Sequence, residues 1–147
     1  MIAEVEALQG VDLPPSEWLE ITQERVDEFA HATGDNQWIH VEPERAKVGP
    51  YGSTIAHGFL TLSLIPYFWK SCKPFSDAIT GINLGLQKVR FLAPVPVPSR
   101  LRGCFRIERV TGHTLQIHVR VEREGAAKPV CVADVLFRYQ PSAESEQ

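Results

Sequence analysis

The stretch IAHGFLTLSLIPYFW, residues 55–69, places apolar side chains on every side of a helical wheel. A helix without a polar face is enclosed by the rest of its protein, so we predict that these residues form the core helix. Pro66 lies inside the stretch and should kink the helix or mark its end, because proline removes a backbone hydrogen bond and crowds the preceding turn. The rest of the chain must therefore supply a surface that wraps around a helix.

Downstream of this stretch the apolar period changes from 3.6 to 2, which is typical of half-buried strands. The alternation is clearest over residues 115–122. It recurs over residues 101–107 and 131–139, and Gly112 and Gly125 fall in the connections. These three segments predict a β-meander.

A fourth strand is predicted over residues 79–92, where the apolar phase reverses near Gln87. A reversal of phase within one strand indicates a β-bulge. Pro94, Pro96 and Pro98 follow, and they predict a rigid connector because proline cannot donate to a β-ladder.

The first third of the chain predicts smaller elements. Residues 18–21 read as a short strand, and a helix follows between an N-cap at Thr22 and a C-cap at Gly34. From Gly34 to Thr54 the pattern is mostly that of a loop, with one helical turn at residues 43–48 that begins with a proline.

Together these elements predict an α+β fold in which a curved antiparallel sheet wraps around a long central helix. A chain of 147 residues that is 44% hydrophobic suits one domain, residues 1–147. Residues 1–15 predict an irregular lead-in, and residues 141–147 predict a disordered tail without large apolar side chains. The edges and outer surface of the sheet would be covered most simply by a second copy, so we expect a homodimer.

Charge and cysteine content exclude several classes of function. The formal net charge is −3, so no basic field exists to hold nucleic acid. The chain has no apolar run of about 18 residues, and Glu4 and Glu6 stand where a signal peptide needs basic and then apolar residues, so we expect a cytoplasmic protein with no membrane insertion. Cys72, Cys104 and Cys131 lack a CxxC spacing, which predicts reduced, buried thiols and no zinc site.

The densest cluster of chemically capable side chains is TGDNQWIH, residues 33–40. Asp35 and His40 would lie about 17 Å apart on opposite faces of a straight strand and would diverge by about 140° on a helix. A bent loop lets them converge, and Gly34 and Asn36 tolerate the positive φ that such a bend needs. The converged pair could hold one water for general acid–base chemistry. The alternative interpretation is a helix stop followed by a packed histidine.

A second candidate lies at the start of the apolar helix, at Gly58. Backbone N–H groups at a helix start are free, and a glycine lets a ligand approach them closely. These groups could form an oxyanion hole for a thioester oxygen, or Gly58 could be required only by tight packing of the helix on the sheet. His57 could be a ligand contact or a buried, hydrogen-bonded side chain. His118 lies on the polar side of its strand and ranks lower.

Four short motifs, taken together, resemble those of a known family. They are FAHATGD at residues 29–35, QWIH at 37–40, GPYG at 49–52 and AHG at 56–58. The set is similar to the MaoC-like dehydratases, the family of R-specific enoyl-CoA hydratases, and it looks closest to the branch named after the nodulation protein NodN. The similarity runs over nearly the whole chain, from Trp18 to Tyr139.

The resemblance implies a hot dog fold, a homodimer and an acyl-CoA substrate. By that likeness Asp35 and His40 grip the water that adds to C3 of a trans-2-enoyl-CoA, and the N–H of Gly58 binds the thioester oxygen. The product is an R-3-hydroxyacyl-CoA, and the reverse reaction is a dehydration. Neither a metal nor another cofactor is implied.

Two departures from the family pattern concern the substrate pocket. Gln37-Trp38 replace the usual Asn-Pro, and Pro66 stands where some relatives have a serine. We expect Trp38, Ile55 and His57 to contact the substrate, with Trp38 next to the acyl channel. Two other functions stay open on the same fold. One is an acyl-CoA thioesterase that directs water at the thioester carbon, and the other is a noncatalytic acyl-CoA binding module.

Overall fold

A five-stranded antiparallel sheet and short helices make up the part of the chain that the computed structural model describes, residues 2–75 and 79–141. The helices are α1 (Ile2–Glu6), α2 (Gln23–Thr33), α3 (Trp38–Val41), α4 (Pro43–Lys47), α5 (Gly58–Ser63) and α6 (Ile65–Cys72). The strands are β1 (Leu19–Ile21), β2 (Ile79–Phe91), β3 (Ser99–Thr111), β4 (Thr114–Arg123) and β5 (Cys131–Pro141). Their order in the sheet is β1-β3-β4-β5-β2, so the predicted meander of β3, β4 and β5 is confirmed.

The inner face of the sheet forms one apolar core with α5 and α6. Ile117 in β4 pairs with Ile107 of β3 and with Val135 of β5, so these side chains lie on the same face. Trp69 of α6 packs on this face, with its ring centroid 5.1 Å from that of Phe105. The curved sheet therefore covers a central helical segment, as the alternating pattern predicts.

The predicted core helix is interrupted. Leu64 separates α5 from α6, and Pro66 lies in the first turn of α6, so the break expected at the proline is confirmed. Enclosure on all sides is not observed in the single chain. Phe68 is fully buried against the sheet, whereas Phe59 is 68% exposed and Tyr67 is 58% exposed. The sheet covers one face of the two segments and leaves the opposite face open.

Strand β2 contains the predicted bulge. The pairing with β5 shifts register between Gln87 and Arg90, and Lys88 in this gap adopts a positive φ of 53°. A second shift, which the sequence pattern did not predict, lies between Asn83 and Gly85. Two irregularities in one edge strand bend it away from a flat sheet.

The first helix after β1 has the predicted ends. The Oγ1 of Thr22 accepts a hydrogen bond from the N–H of Arg25 at 3.1 Å. At the other end Gly34 has a φ of 84°, and its N–H donates to the carbonyl of Ala30 at 2.8 Å. Pro43 begins α4, the predicted single turn.

The lead-in of residues 1–15 is not irregular throughout. It contains α1, and Val5 is only 1% exposed in the core. A helix of only five residues is too short to show a helical period in the sequence. The predicted disordered tail lies outside the described residues, except for Pro141 at the end of β5.

Two expectations drawn from composition can be compared with the structure. Cys72, Cys104 and Cys131 are free thiols, and Cys104 and Cys131 are buried as predicted, whereas Cys72 is only half-buried because it ends α6. Burial raises the pKa of Cys104 and of Cys131 to about 11, which suits unreactive side chains of the interior. None of the described helices has the length and apolar character needed to cross a bilayer.

The outer face of the sheet carries charged side chains that pair across strands. Arg102 Nε lies 3.0 Å from Glu122 Oε1, and His118 Nδ1 lies 2.9 Å from Asp134 Oδ1. This face therefore does not need the covering partner that the sequence led us to expect there. Exposed apolar side chains instead follow β2 and the residues after it: Ile82, Leu84, Leu86, Phe91 and Leu92.

Candidate active site

The segment between α2 and α5 forms the candidate site. It was expected to be mostly loop, but it includes α3, a single helical turn that carries His40. Gly34 ends α2 in the left-handed conformation, and Asp35 follows directly in the turn. This bend, together with the turn of α3, lets the two side chains approach despite their spacing of five residues.

The imidazole of His40 is held in one tautomer by the backbone. Its Nδ1 lies 2.6 Å from the carbonyl oxygen of Ile55, so Nδ1 carries the proton and donates it. The N–H of Ile55 in turn donates to the carbonyl of Ile39 at 2.9 Å. His40 is only 6% exposed. These contacts leave Nε2 with a free lone pair that can accept a proton.

Asp35 presents its carboxylate to the same small space. The side chain is half-buried, and Gln37 Nε2 donates to Oδ1 at 3.3 Å. One imidazole nitrogen each from His40 and His57 and one carboxylate oxygen of Asp35 all lie within 4.8 Å of one another. A water that bridges two groups with hydrogen bonds of about 2.8 Å can span about 5.6 Å, so this spacing suits one shared water.

His57 supports both of these residues. Its Nε2 lies 2.8 Å from the backbone carbonyl of Asp35, so Nε2 is the donor. Its ring stacks on that of His40, with centroids 3.8 Å apart and an angle of 24° between the planes. His57 is therefore the buried, hydrogen-bonded side chain that the sequence offered as one alternative.

The charge state of His57 follows from its burial. The side chain is 2% exposed, and this burial lowers its pKa, while the hydrogen bond to the carbonyl of Asp35 opposes the shift. The nearby imidazole of His40 also lowers the pKa of His57. His57 is thus an uncharged side chain that packs against His40 and binds the backbone of Asp35. Its Nδ1 has no hydrogen-bond partner among the described residues.

A groove of about 350 Å³ opens beside His40, and we call it the site groove. Its lining residues are His40, Tyr51, Ile55, Ala56, Gly58, Thr61, Phe91, Leu92, Ala93, Pro94, Val95 and Val130. Most of these side chains are apolar, which suits a ligand with an aliphatic part. The groove runs from His40 to the start of α5, and Asp35 is not among its lining residues.

Gly58 is the first residue of α5, so its N–H lies outside the helical hydrogen-bond pattern. A Cβ at this position would lie 3.1 Å from ring carbons of Phe91, which is closer than an ordinary van der Waals contact, so the ring would have to move. Both interpretations of the glycine therefore have support, because the residue packs tightly and also lines the site groove.

Of the three side chains expected to contact a substrate, Ile55 lines the site groove and His57 lies behind His40. Trp38 does not line this groove in the described part of the chain. Its indole instead packs near Gly49, and the guanidinium of Arg45 lies 4.5 Å from its ring centroid. The predicted position of Trp38 beside an acyl channel therefore differs from its observed surroundings.

Three residues of the site were missed in the sequence. Gln23 binds the carbonyl of His40, and Thr54 binds Gln23. A glutamine in the first turn of an amphipathic helix looks like a solvated residue, and no local pattern reveals its distant partners. Thr61 was also missed: its hydroxyl is buried in the groove wall and has no partner among the described residues.

Asp35, His40 and His57 are also of the types that bind transition metals. The expectation that no metal takes part stays a prediction. One nitrogen of each imidazole is already bound to a backbone carbonyl, Nδ1 in His40 and Nε2 in His57. A water and a metal would therefore compete for the lone pair on the other nitrogen of each ring.

A sheet wrapped around a helical segment, with a carboxylate, an imidazole and an apolar groove near the helix start, is the arrangement of a hot dog protein. The family model described as MaoC like domain matches residues 5–128. The chain belongs to this family of MaoC-like dehydratases.

Similar proteins agree with this assignment. The chain is 48% identical to 3-hydroxyacyl-thioester dehydratase Z of Mycobacterium tuberculosis over 143 residues, which cover 94% of this chain and 95% of that protein. It is 40% identical to Nodulation protein N of Rhizobium leguminosarum bv. viciae over 150 residues, which cover 96% of this chain and 93% of that protein. The predicted likeness to the NodN branch is confirmed.

Among solved structures, the unliganded R-hydratase PhaJ1 of Pseudomonas aeruginosa superposes with a TM-score of 0.79. It is 24% identical in sequence, and the match covers 96% of this chain and 85% of that chain, which shows the shared hot dog fold. Because a relative at 48% identity is named as a dehydratase and the family model matches most of the chain, the chain is an enzyme, a lyase of the hydratase and dehydratase class.

Proposed function

We propose that the protein catalyses the R-specific hydration of trans-2-enoyl-CoA to R-3-hydroxyacyl-CoA, and the reverse dehydration. The observation that carries this proposal is the convergence of Asp35 and His40 next to the site groove, where a ring nitrogen of His40 and a carboxylate oxygen of Asp35 lie within 4.8 Å of each other, a spacing that one shared water can bridge. Water addition to a polarised double bond needs both a proton acceptor and a proton donor, and this pair supplies them.

In the proposed reaction, Asp35 and His40 hold a water near C3 of the substrate. The pair removes one proton from the water as its oxygen bonds to C3, the electron pair of the double bond moves toward C2 and the carbonyl, and the pair returns one proton to C2. The thioester oxygen gains negative charge during this step. The N–H of Gly58 donates a hydrogen bond to that oxygen and stabilises the charge.

The choice of an acyl thioester rests on the groove and on one relative. The groove wall is formed by apolar side chains such as Ile55, Phe91 and Val95, which suit an acyl chain. The Mycobacterium relative is named for a 3-hydroxyacyl thioester. No redox cofactor is needed, because addition of water involves no net oxidation or reduction.

The test is a panel of substrates with purified protein. We expect loss of enoyl absorbance with crotonyl-CoA and with longer trans-2-enoyl-CoAs, and chiral analysis should give the R product. Release of free CoA from saturated acyl-CoAs would support a thioesterase instead. Tight acyl-CoA binding without turnover of enoyl or hydroxyacyl substrates would support a noncatalytic binding module.

The cytoplasmic location expected from the sequence stays a prediction.

We also propose that the protein is a homodimer that pairs along β2. This strand lies at one edge of the sheet and exposes Ile82, Leu84 and Leu86, and an unpaired apolar edge is a surface that proteins usually cover. Sedimentation should give the mass of a dimer. Leu84→Lys, on the exposed edge, should shift the protein toward monomer, whereas Val48→Lys, at an exposed residue of the α4 end, should not.

A further inference from the structure

Gln23, at the start of α2, binds three other residues through its side-chain amide. Its Nε2 donates to the carbonyl of His40 at 2.7 Å and to Asp27 Oδ1 at 2.9 Å. Its Oε1 accepts a hydrogen bond from Thr54 Oγ1 at 2.6 Å. We propose that Gln23 is a positioning residue that fixes His40 for catalysis, a role that rests on the proposed function.

The orientation of this amide is set by its partners. The carbonyl of His40 and the carboxylate of Asp27 can only accept hydrogen bonds, so the NH₂ group must face them. The hydroxyl of Thr54 then donates to the amide oxygen. Three of the four hydrogen bonds available to a glutamine side chain are made, and Gln23 is half-buried, so the group is held in one place.

The turn that carries His40 needs such a support. Helix α3 contains four residues and has no side-chain hydrogen bond at its N-cap. A helical turn this short is unstable alone, because its nucleation cost exceeds what one or two hydrogen bonds return. Gln23 fixes the carbonyl of His40 to α2, a longer helix whose buried face packs into the core through Val26 and Ala30.

Gln23 also controls the group that orients the imidazole. Thr54 is 3% exposed and is followed by Ile55, whose carbonyl accepts the proton of His40 Nδ1 at 2.6 Å. Gln23 therefore holds the backbone of His40 and the neighbour of its ring acceptor at a fixed separation. Loss of this bridge lets the ring and its acceptor move relative to each other, which changes the direction of Nε2.

The first experiment compares Gln23→Met with Gln9→Met. Methionine keeps the length and apolar bulk of glutamine but removes its hydrogen bonds. Gln9 is a matched control, because its amide also bridges two backbone groups, Glu6 O and Val110 N, but far from the site. Gln23→Met should lower kcat about 10- to 100-fold, the scale expected for misplacement of a catalytic group by up to an ångström, and change KM much less. Gln9→Met should leave kcat unchanged.

A double variant separates positioning from a general loss of structure. In a His40→Ala background, Gln23→Met should cause no further loss of kcat, because the group it positions is gone. A further loss of similar size in that background would overturn the proposal. Thr54→Val should reproduce part of the loss of kcat seen in Gln23→Met. Thr54→Ser keeps the hydroxyl that binds Gln23, so it should lower kcat less than Thr54→Val does.

A spectroscopic readout is independent of the reaction. With ¹⁵N-histidine labelling, the Nδ1–H of His40 should give an exchange-protected signal in the wild type and in Gln9→Met, and a broadened or lost signal in Gln23→Met. If the wild type shows no hydratase activity, the proposed function fails while this signal still decides the positioning role. An unchanged His40 signal and unchanged kcat in Gln23→Met would overturn the role itself.

Discussion

Within residues 2–75 and 79–141, two histidine–aspartate pairs differ in where their hydrogen bonds go. On the outer face of the sheet, His118 and Asp134 bind each other directly, Nδ1 to Oδ1 at 2.9 Å. In the candidate site, the Nδ1 of His40 is bound to a backbone carbonyl instead, and a carboxylate oxygen of Asp35 lies within 4.8 Å of a ring nitrogen of His40. The members of the first pair bind each other, whereas those of the second are close enough to bind a third molecule together.

The two pairs also differ in the polarity of the side chains around them. The hollow next to His118 and Asp134 is lined by charged side chains, among them Lys88, Glu108 and Arg109. The site groove next to His40 is lined mainly by apolar side chains and by the start of α5. A histidine beside an acid is thus not enough to mark an active site; the pair must be held by other groups and must face a space that fits a substrate.

The largest expected effect tests this comparison directly. Asp35→Asn and His40→Ala should each lower kcat by about 10²–10⁴-fold, because each removes one member of the acid–base pair. Asp134→Asn and His118→Ala serve as matched controls and should leave kcat unchanged. The measurement is enoyl-CoA hydration at saturating substrate. If the outer pair mattered as much as Asp35 and His40, our location of the site would be incorrect.

The sheet could be predicted because its signal is local. Residues 115–122 alternate in the strand itself, and the phase reversal near Gln87 is visible within one strand. The motif that carries Asp35 and His40 is also local, so a resemblance could identify it. The interruption of the helix at Leu64 could be anticipated from Pro66, but its open face could not, because apolar side chains such as Phe59 do not reveal how much of a helix a sheet covers.

The contacts that hold the site could not be predicted, because they join residues far apart in sequence. Gln23 reaches a carbonyl 17 residues away and a hydroxyl 31 residues away. Trp38 was expected beside the acyl channel, but its ring packs with Arg45 because both lie on neighbouring helical turns. Tertiary hydrogen bonds of this kind have no periodicity, and single-sequence patterns do not report them.

The second prediction concerns the close approach at Gly58, which has no counterpart at the outer pair. Gly58→Ala places a Cβ 3.1 Å from the ring of Phe91 and forces movement in the wall of the site groove. We expect kcat/KM to fall by about tenfold through this displacement. Phe91→Leu should restore activity in the double variant, since it removes the ring that the new methyl group meets. Wild-type activity in Gly58→Ala alone would show that close approach at this position is not required.

The third prediction uses the neutral histidine behind the site. Burial lowers the pKa of His57 in the folded protein below its ordinary value of 6.5, so the unfolded chain binds more protons as the pH falls below 6.5. The unfolding free energy should therefore decrease over that range. His57→Gln, which can still donate to the carbonyl of Asp35, should reduce this decrease, and His31→Gln on the exposed side of α2 should not. Urea unfolding at a series of pH values measures both, and equal pH slopes in all three proteins would contradict the assignment.

The smallest expected effect is on stability at the outer pair. The side chain of His118 is 30% exposed and that of Asp134 is 10% exposed, so their hydrogen bond is partly shielded from water. Its removal by Asp134→Asn should cost about 1 kcal/mol of unfolding free energy, measured by urea at constant pH, because a partly exposed hydrogen bond to a carboxylate contributes on this scale. Asp35→Asn should cost less, since Asp35 accepts only a long hydrogen bond from Gln37. Both substitutions replace an aspartate with an asparagine, so their effects can be compared directly. A larger loss of stability in Asp134→Asn together with a larger loss of kcat in Asp35→Asn would show that the outer pair stabilises the sheet and that the other pair acts in the reaction. The same ranking in both measurements would show that the two pairs do not differ in the way their hydrogen bonds indicate.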